Sequence, residues 1–232
     1  MSTAISARSW SDSMHTEHHI AVLAGTPVDT QMGVDCLARA GLAGLAFPMA
    51  SDPRRQTAFQ ISSQGEKTAA VRAVLETAKG QGCRKAFIYC NSLSGSVDFT
   101  PLAAETGMDI VTPLDIYREL APRYRRLGLI AANAQGLAGI VRTLFAANPE
   151  LDLLGACMLP AVLSIEAGEP PEELVERHRL PELAEWFRLS GMEALVLGCT
   201  HFPYFKDALA KRTSLPLIDP AEEMVHRIMK IG

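Results

Sequence analysis

The sequence predicts an α/β protein: two similar parallel-sheet domains facing each other across a central cleft. Three observations carry that expectation. Short apolar runs recur at residues 20–24, 44–47, 86–89, 127–131, 151–154, 194–197 and 215–218, and most of the intervals between them have helical spacing. Strand and helix in alternation build βαβ units with buried parallel strands. Two of the runs end alike, in Cys90-Asn91-Ser92 and in Gly198-Cys199-Thr200-His201. Those two cysteines stand about half the chain apart, as two repeated halves require.

Taken in order, residues 1–17 mix Ser, Thr, His and small residues without periodicity and read as a loose tail. The run at 20–24 is the first strand. Gly25-Thr26-Pro27 closes it, setting flexible backbone and a hydroxyl at the carboxyl edge of the sheet. Residues 66–82 read as a helix leading to the strand at 86–89. The segment 109–113, Asp-Ile-Val-Thr-Pro, reads as the crossing between halves. Strands at 127–131, 151–154 and 194–197 follow, with one helix expected over 171–190. The strand at 215–218 and a helix over 220–231 are expected to return to the first half. The domain boundaries are therefore 18–111 plus 214–232 for the first domain and 112–213 for the second.

Composition excludes several classes. With 232 residues, 48% of them hydrophobic, the chain can bury roughly 70% of its unfolded surface without a disulfide or metal staple. A net charge of −4 and scattered Lys and Arg leave no nucleic-acid footprint. No apolar run reaches the roughly 18 residues of a membrane span. The polar opening has no apolar core of a signal peptide. Five cysteines, none in a C-x-x-C pair, indicate reduced thiols and a cytoplasmic protein.

The chemistry points to the strand ends, where open α/β sheets bind ligands. Cys90 and Cys199 both sit at such ends before an expected helix, whose amides lower a thiol pKa. Facing each other, one thiolate and one thiol make a base and an acid on opposite sides of a bound carbon. His201 can hold or relay the proton of Cys199. Asn91, Ser92 and Thr200 offer donors for a carboxylate, as well as caps for the helices. Cys36, Cys83 and Cys157 read as small buried hydrophobes. His15, His18, His19, His178 and His226 read as tail or surface positions. A zinc set of Cys90, Cys199 and His201 lacks the usual ligand spacing, so no metal is expected. Dinucleotide, P-loop and esterase-elbow signatures are absent, and no organic cofactor is expected.

At its two cysteine motifs the chain resembles the aspartate/glutamate racemase superfamily, most nearly its glutamate racemases. Family members carry a C-N-T motif after one strand and L-G-C-T-H-Y-P after a later one. Here these read Cys90-Asn91-Ser92 and Leu197-Gly198-Cys199-Thr200-His201-Phe202-Pro203. Residues 157–168 (CMLPAVLSIEAG) are similar to the family stretch that ends in a glutamate, which places Glu166 there. Residues 218–223 are like the family's closing segment, and the likeness runs over residues 19–232.

The resemblance implies a small amino-acid substrate, two catalytic cysteines, no cofactor, no nucleic acid or membrane partner, and a homodimer. Cys90 and Cys199 would serve opposite faces of the α-carbon, with His201 and Glu166 assisting Cys199. Gly25, Thr26, Asn91, Ser92 and Thr200 would contact substrate. Three elements depart from the family. Its Asp-Ser-Gly after the first strand is Ala24-Gly25-Thr26 here, and the nearest acid, Asp29, reads as a helix-start residue. Its Pro-Tyr-Gly loop has no counterpart near residues 52–57, where Arg54-Arg55 could hold a side-chain carboxylate instead. Its threonine-containing turn is replaced at residues 131–135. The expected activity is racemisation of glutamate, aspartate or a related amino acid. The rivals are a hydantoin racemase or maleate-type isomerase with a nucleophilic cysteine, and a non-catalytic sensor.

Overall fold

A computed structural model describes residues 19–231. The expected tail at 1–17, with His15 and His18, lies outside the described residues. Two four-stranded sheets organise the chain, and every strand pairing in both is parallel. The first contains β1 (Ile20–Ala24), β2 (Gly44–Pro48), β3 (Lys85–Ile88) and β4 (Asp109–Val111) in the order β2-β1-β3-β4. The second contains β5 (Arg126–Ala131), β6 (Asp152–Cys157), β7 (Ala194–Gly198) and β8 (Leu217–Ile218) in the order β6-β5-β7-β8. The two halves thus repeat one topology.

The inner strands β1 and β7 are buried at every position, so each reads as an unbroken apolar run rather than an alternating one. Helix starts are written locally. Thr26, Ser63 and Thr112 each close a capping box with an acid three residues on, and Pro27 and Pro113 begin two of those helices. One apolar cluster fills the first half, and two others lie on the faces of the second sheet.

Four expectations change. Residues 109–111 are not merely a crossing: they form the edge strand β4, paired with β3. The strand at 217–218, expected on the first half, pairs with β7 in the second sheet. The helix that follows it, Ala221–Lys230, buries Met224, Val225 and Ile228 in the core of the first half. The single helix expected over 171–190 is two, Pro171–Arg177 and Leu180–Leu189. Arg179 between them has φ 50°, and Pro181 in the first turn of the second helix cannot continue the first. Finally, Cys157 is exposed, whereas Cys36 and Cys83 are buried as expected.

Candidate active site

In each sheet the order reverses between its two central strands, β1 and β3 in one, β5 and β7 in the other. Ligands gather at the carboxyl ends of such switch points. Cys90 follows β3 by two residues and Cys199 follows β7 directly. Both are free thiols, and both line one cavity shared by the two halves. Asn91, Ser92, Thr200 and His201 line it as well, and all four are buried.

The two cysteines differ in what stands behind them. Cys90 is the residue at which the helix Asn91–Ser96 begins. After Cys199 the chain makes a turn through Thr200 and His201, and the helix Pro203–Ala210 starts only beyond Phe202. The expected helix start directly after Cys199 is therefore displaced, and Thr200 does not cap it. What meets the Cys199 sulfur is His201, whose Nδ1 lies 3.6 Å from Sγ. The other ring nitrogen of His201, Nε2, is 2.9 Å from Oε1 of Glu166. A carboxylate only accepts, so Nε2 carries a proton; Nδ1 accepts from the Cys199 thiol when the ring is neutral and donates to the sulfur when the ring is protonated. Burial alone would lower the His201 pKa. The bonds to Cys199 and Glu166, with the charges of Cys199 and Asp29, outweigh it and raise it to about 10. Burial likewise pushes the Glu166 carboxyl up, but its bonds to His201 and Thr26 win and hold it below the usual range.

Cys90 has the opposite environment. Burial, reinforced by the nearby charge of Asp29, pushes its thiol up to about 12, against the pull of the Ser92 hydroxyl and the Leu93 amide. Its sulfur lies 3.4 Å from Ser92 Oγ and accepts from Gln56 Nε2 at 3.3 Å.

Gly25 and Thr26, expected at the substrate, stand one layer back, outside the cavity lining. Thr26 Oγ1 is 2.5 Å from Glu166 Oε1 and 3.0 Å from Asp29 Oδ1, so it ties the carboxylate behind His201 to the first helix. A Cβ on Gly25 would lie 1.8 Å from Gln56 Nε2: the absent side chain makes room for that amide. Glu166 also lies behind the lining, acting on the cavity through His201. Arg54 and Arg55 do not reach the cavity; both are exposed, and Arg55 lies 3.7 Å from Asp52.

Five residues escaped sequence reasoning. Asp29 does cap its helix, accepting from the amides of Gly25 and Thr26, but it is also 1% exposed, lines the cavity, and stands 4.0 Å from His201 Nδ1. Burial raises its carboxyl, opposed by the His201 charge and the two amide bonds. Gln56 and Gln60 come from the helix Pro53–Ile61, which covers the Cys90 side. Asn133 caps the helix Ala134–Ala147 and donates to Gln60 Oε1 at 3.0 Å. Tyr117 donates to Asn91 Oδ1 at 2.7 Å, fixing that amide so that its buried nitrogen has no partner among the described residues. The capping role of Asp29 was visible in the sequence. The glutamines carried no signal, because their partners are 32 or more residues away.

No family model matches the chain. Among curated proteins, the glutamate racemase of Limosilactobacillus reuteri (strain DSM 20016) is 30% identical over 111 residues, 47% of this chain and 41% of that protein. The match thus spans well under two thirds of that relative's length. Among solved structures, glutamate racemase from Francisella tularensis subsp. tularensis SCHU S4 in complex with D-glutamate superposes with a TM-score of 0.72, covering 92% of this chain and 80% of that one at 17% identity. Allantoin racemase from Klebsiella pneumoniae gives a TM-score of 0.63, covering 91% and 86% at 17% identity. The class defined by the fold is therefore a two-domain α/β protein, and in fold and in sequence the chain is similar to the aspartate/glutamate racemase superfamily. Within that superfamily its sequence likeness is to the glutamate racemases.

Proposed function

We propose that this chain is a cofactor-independent amino-acid racemase in which Cys199 and Cys90 move the α-proton on opposite faces of the substrate. The observation that carries the reading is one cavity lined by two thiols in different surroundings, Cys199 beside His201 and Cys90 beside Ser92 and Gln56. His201, braced by Glu166, stands within reach of the Cys199 sulfur as the group that accepts its proton. Burial and the charge of Asp29 keep Cys90 a thiol. A resting enzyme then already holds one base and one acid, as a two-base proton transfer requires.

In the forward step the substrate Cα–H bond breaks and its proton passes to the Cys199 sulfur. The electron pair left on carbon then takes the Cys90 proton from the other face. Cys199 ends as thiol and Cys90 as thiolate, the state that runs the opposite enantiomer. The unpaired nitrogen of Asn91 and the hydroxyl of Thr200 serve the α-carboxylate, and Ser92 serves the amino group. Tyr117 fixes the Asn91 amide without touching substrate. The glutamate racemase relative and the allantoin racemase neighbour support racemisation, and glutamate, aspartate or a related amino acid is the substrate of this reading. A homodimer belongs to the same reading and is checked by light scattering.

The test is incubation with separate L and D amino acids in heavy water, followed by α-proton NMR and chiral analysis. Loss of the α-proton together with inversion is expected, unaffected by chelator. Failure of every amino acid to exchange would overturn the reading. So would a stable covalent cysteine adduct seen by mass spectrometry without inversion, or activity lost to chelator and restored by zinc or pyridoxal phosphate.

A further inference from the structure

We propose that the far end of the substrate is uncharged, a carboxamide or ureido group taken in preference to the carboxylate of equal size. This inference rests on the racemase reading and narrows its substrate.

It follows from the wall that faces Cys90. The helix Pro53–Ile61 lays the Gln56 carboxamide against the Cys90 sulfur at 3.3 Å and Ser92 Oγ at 3.5 Å. Behind it, buried Gln60 donates to Ser92 Oγ at 2.6 Å and accepts from Asn133 Nδ2 at 3.0 Å. Gln56, Gln60 and Asn133 make this wall a run of neutral amides, and Leu159 and Val162 supply apolar lining in the same cavity.

Cations are missing from this wall. Among the described residues no Lys or Arg lines the cavity, and Arg54 and Arg55, on the covering helix, are exposed to solvent. The fixed charge nearby is acidic: Asp29 in the lining and Glu166 behind His201. A carboxylate taken out of water needs a cation or a full set of donors. His201, the one residue here that becomes cationic, is held between Cys199 and Glu166. The free nitrogen of Asn91 is used by the α-carboxylate in the reading above. The amide groups of Gln60 and Asn133 already donate to Ser92 and to Gln60. A second carboxylate would also face Cys90, which must become a thiolate in one direction of the reaction. A carboxamide avoids that repulsion, and its donor and acceptor match those of the Gln56 amide.

The experiment compares kcat/KM for α-proton exchange within two isosteric pairs, glutamine with glutamate and asparagine with aspartate, and adds citrulline as the ureido probe. At least a tenfold preference for the amide is expected in each pair that turns over. Gln56→Arg, which brings a cation to the Cys90 wall, is expected to shift the glutamate-to-glutamine ratio toward the acid by tenfold or more. Equal or better use of the acidic partners by the unaltered protein overturns this inference and leaves the racemase reading standing. Exchange with none of the five probes overturns this inference, and exchange with no amino acid of the wider panel overturns the racemase reading as well.

Discussion

Gly139 and Gly95 meet where the helix Ala134–Ala147 of the second half crosses the helix Asn91–Ser96 of the first. A Cβ on Gly139 would lie 2.5 Å from Gly95 Cα, where ordinary contact begins near 3.4 Å. Gly139→Ala must therefore drive the two backbones apart by about 1 Å, because a backbone atom cannot rotate away. Overpacking of this kind costs about 1–3 kcal/mol, and the better helix propensity of Ala returns roughly 1 kcal/mol. A net loss of up to about 2 kcal/mol corresponds to a fall in Tm of up to roughly 8 °C for a chain of this size. The displaced helix begins at Cys90 and carries Asn91 and Ser92. A misplacement near 1 Å at a reacting group costs about 100-fold in rate, so kcat/KM for racemisation should fall by about that factor. Gly65→Ala is the control: it lies in the helix Gln64–Gly80, and among the described residues nothing comes within 4 Å of the added carbon. There Ala should be neutral or stabilise by about 0.4–1 kcal/mol. The assays are thermal unfolding and α-proton exchange on both variants. Gly139→Ala with the activity and Tm of the control would refute the claim that this crossing sets the position of the Cys90 side.

Other consequences follow from the asymmetry of the two thiols. Cys90→Ser and Cys199→Ser should each abolish racemisation yet retain exchange of one enantiomer, opposite in the two variants. In Cys199→Ser the base is Cys90, with a pKa of about 12, so exchange should be the slower of the two and rise about tenfold per pH unit from 7 to 10. The sign follows because only the thiolate reacts and it accumulates as pH approaches that pKa; a rate flat over that range would refute the assignment. His201→Ala should cut exchange at Cys199, measured in the Cys90→Ser background, by about 10²–10⁴. Glu166→Gln, which weakens one charged hydrogen bond worth about 1.5–3 kcal/mol, should cost about 10- to 100-fold in the same assay. Tyr117→Phe removes the donor to Asn91 Oδ1 and should cost about 1–3 kcal/mol of stability, read in urea, with a raised KM.

The sequence by itself determined the α/β class, the seven strand runs it named, and the pairing of Cys90 with Cys199 as candidate residues. These were legible because buried parallel strands leave unbroken apolar runs, and because a strand end is a local feature of the chain. Asn91, Ser92, Thr200 and His201 lie beside the cysteines in sequence and line the cavity with them. The short edge strand β4 was read as a crossing because three residues carry too little pattern to separate a strand from a loop. Tertiary structure decided the rest. Asp29 reads locally as a helix cap, and only the packing of the two halves brings it to His201. Thr26 reads as a residue of the ligand edge, and only the arrival of Glu166 from 140 positions away makes it a brace. Gln56 and Gln60 are two polar residues on a surface-like helix until that helix settles over Cys90. Hydrogen bonds across such separations depend on how the elements dock, and no periodicity or spacing along the chain records that.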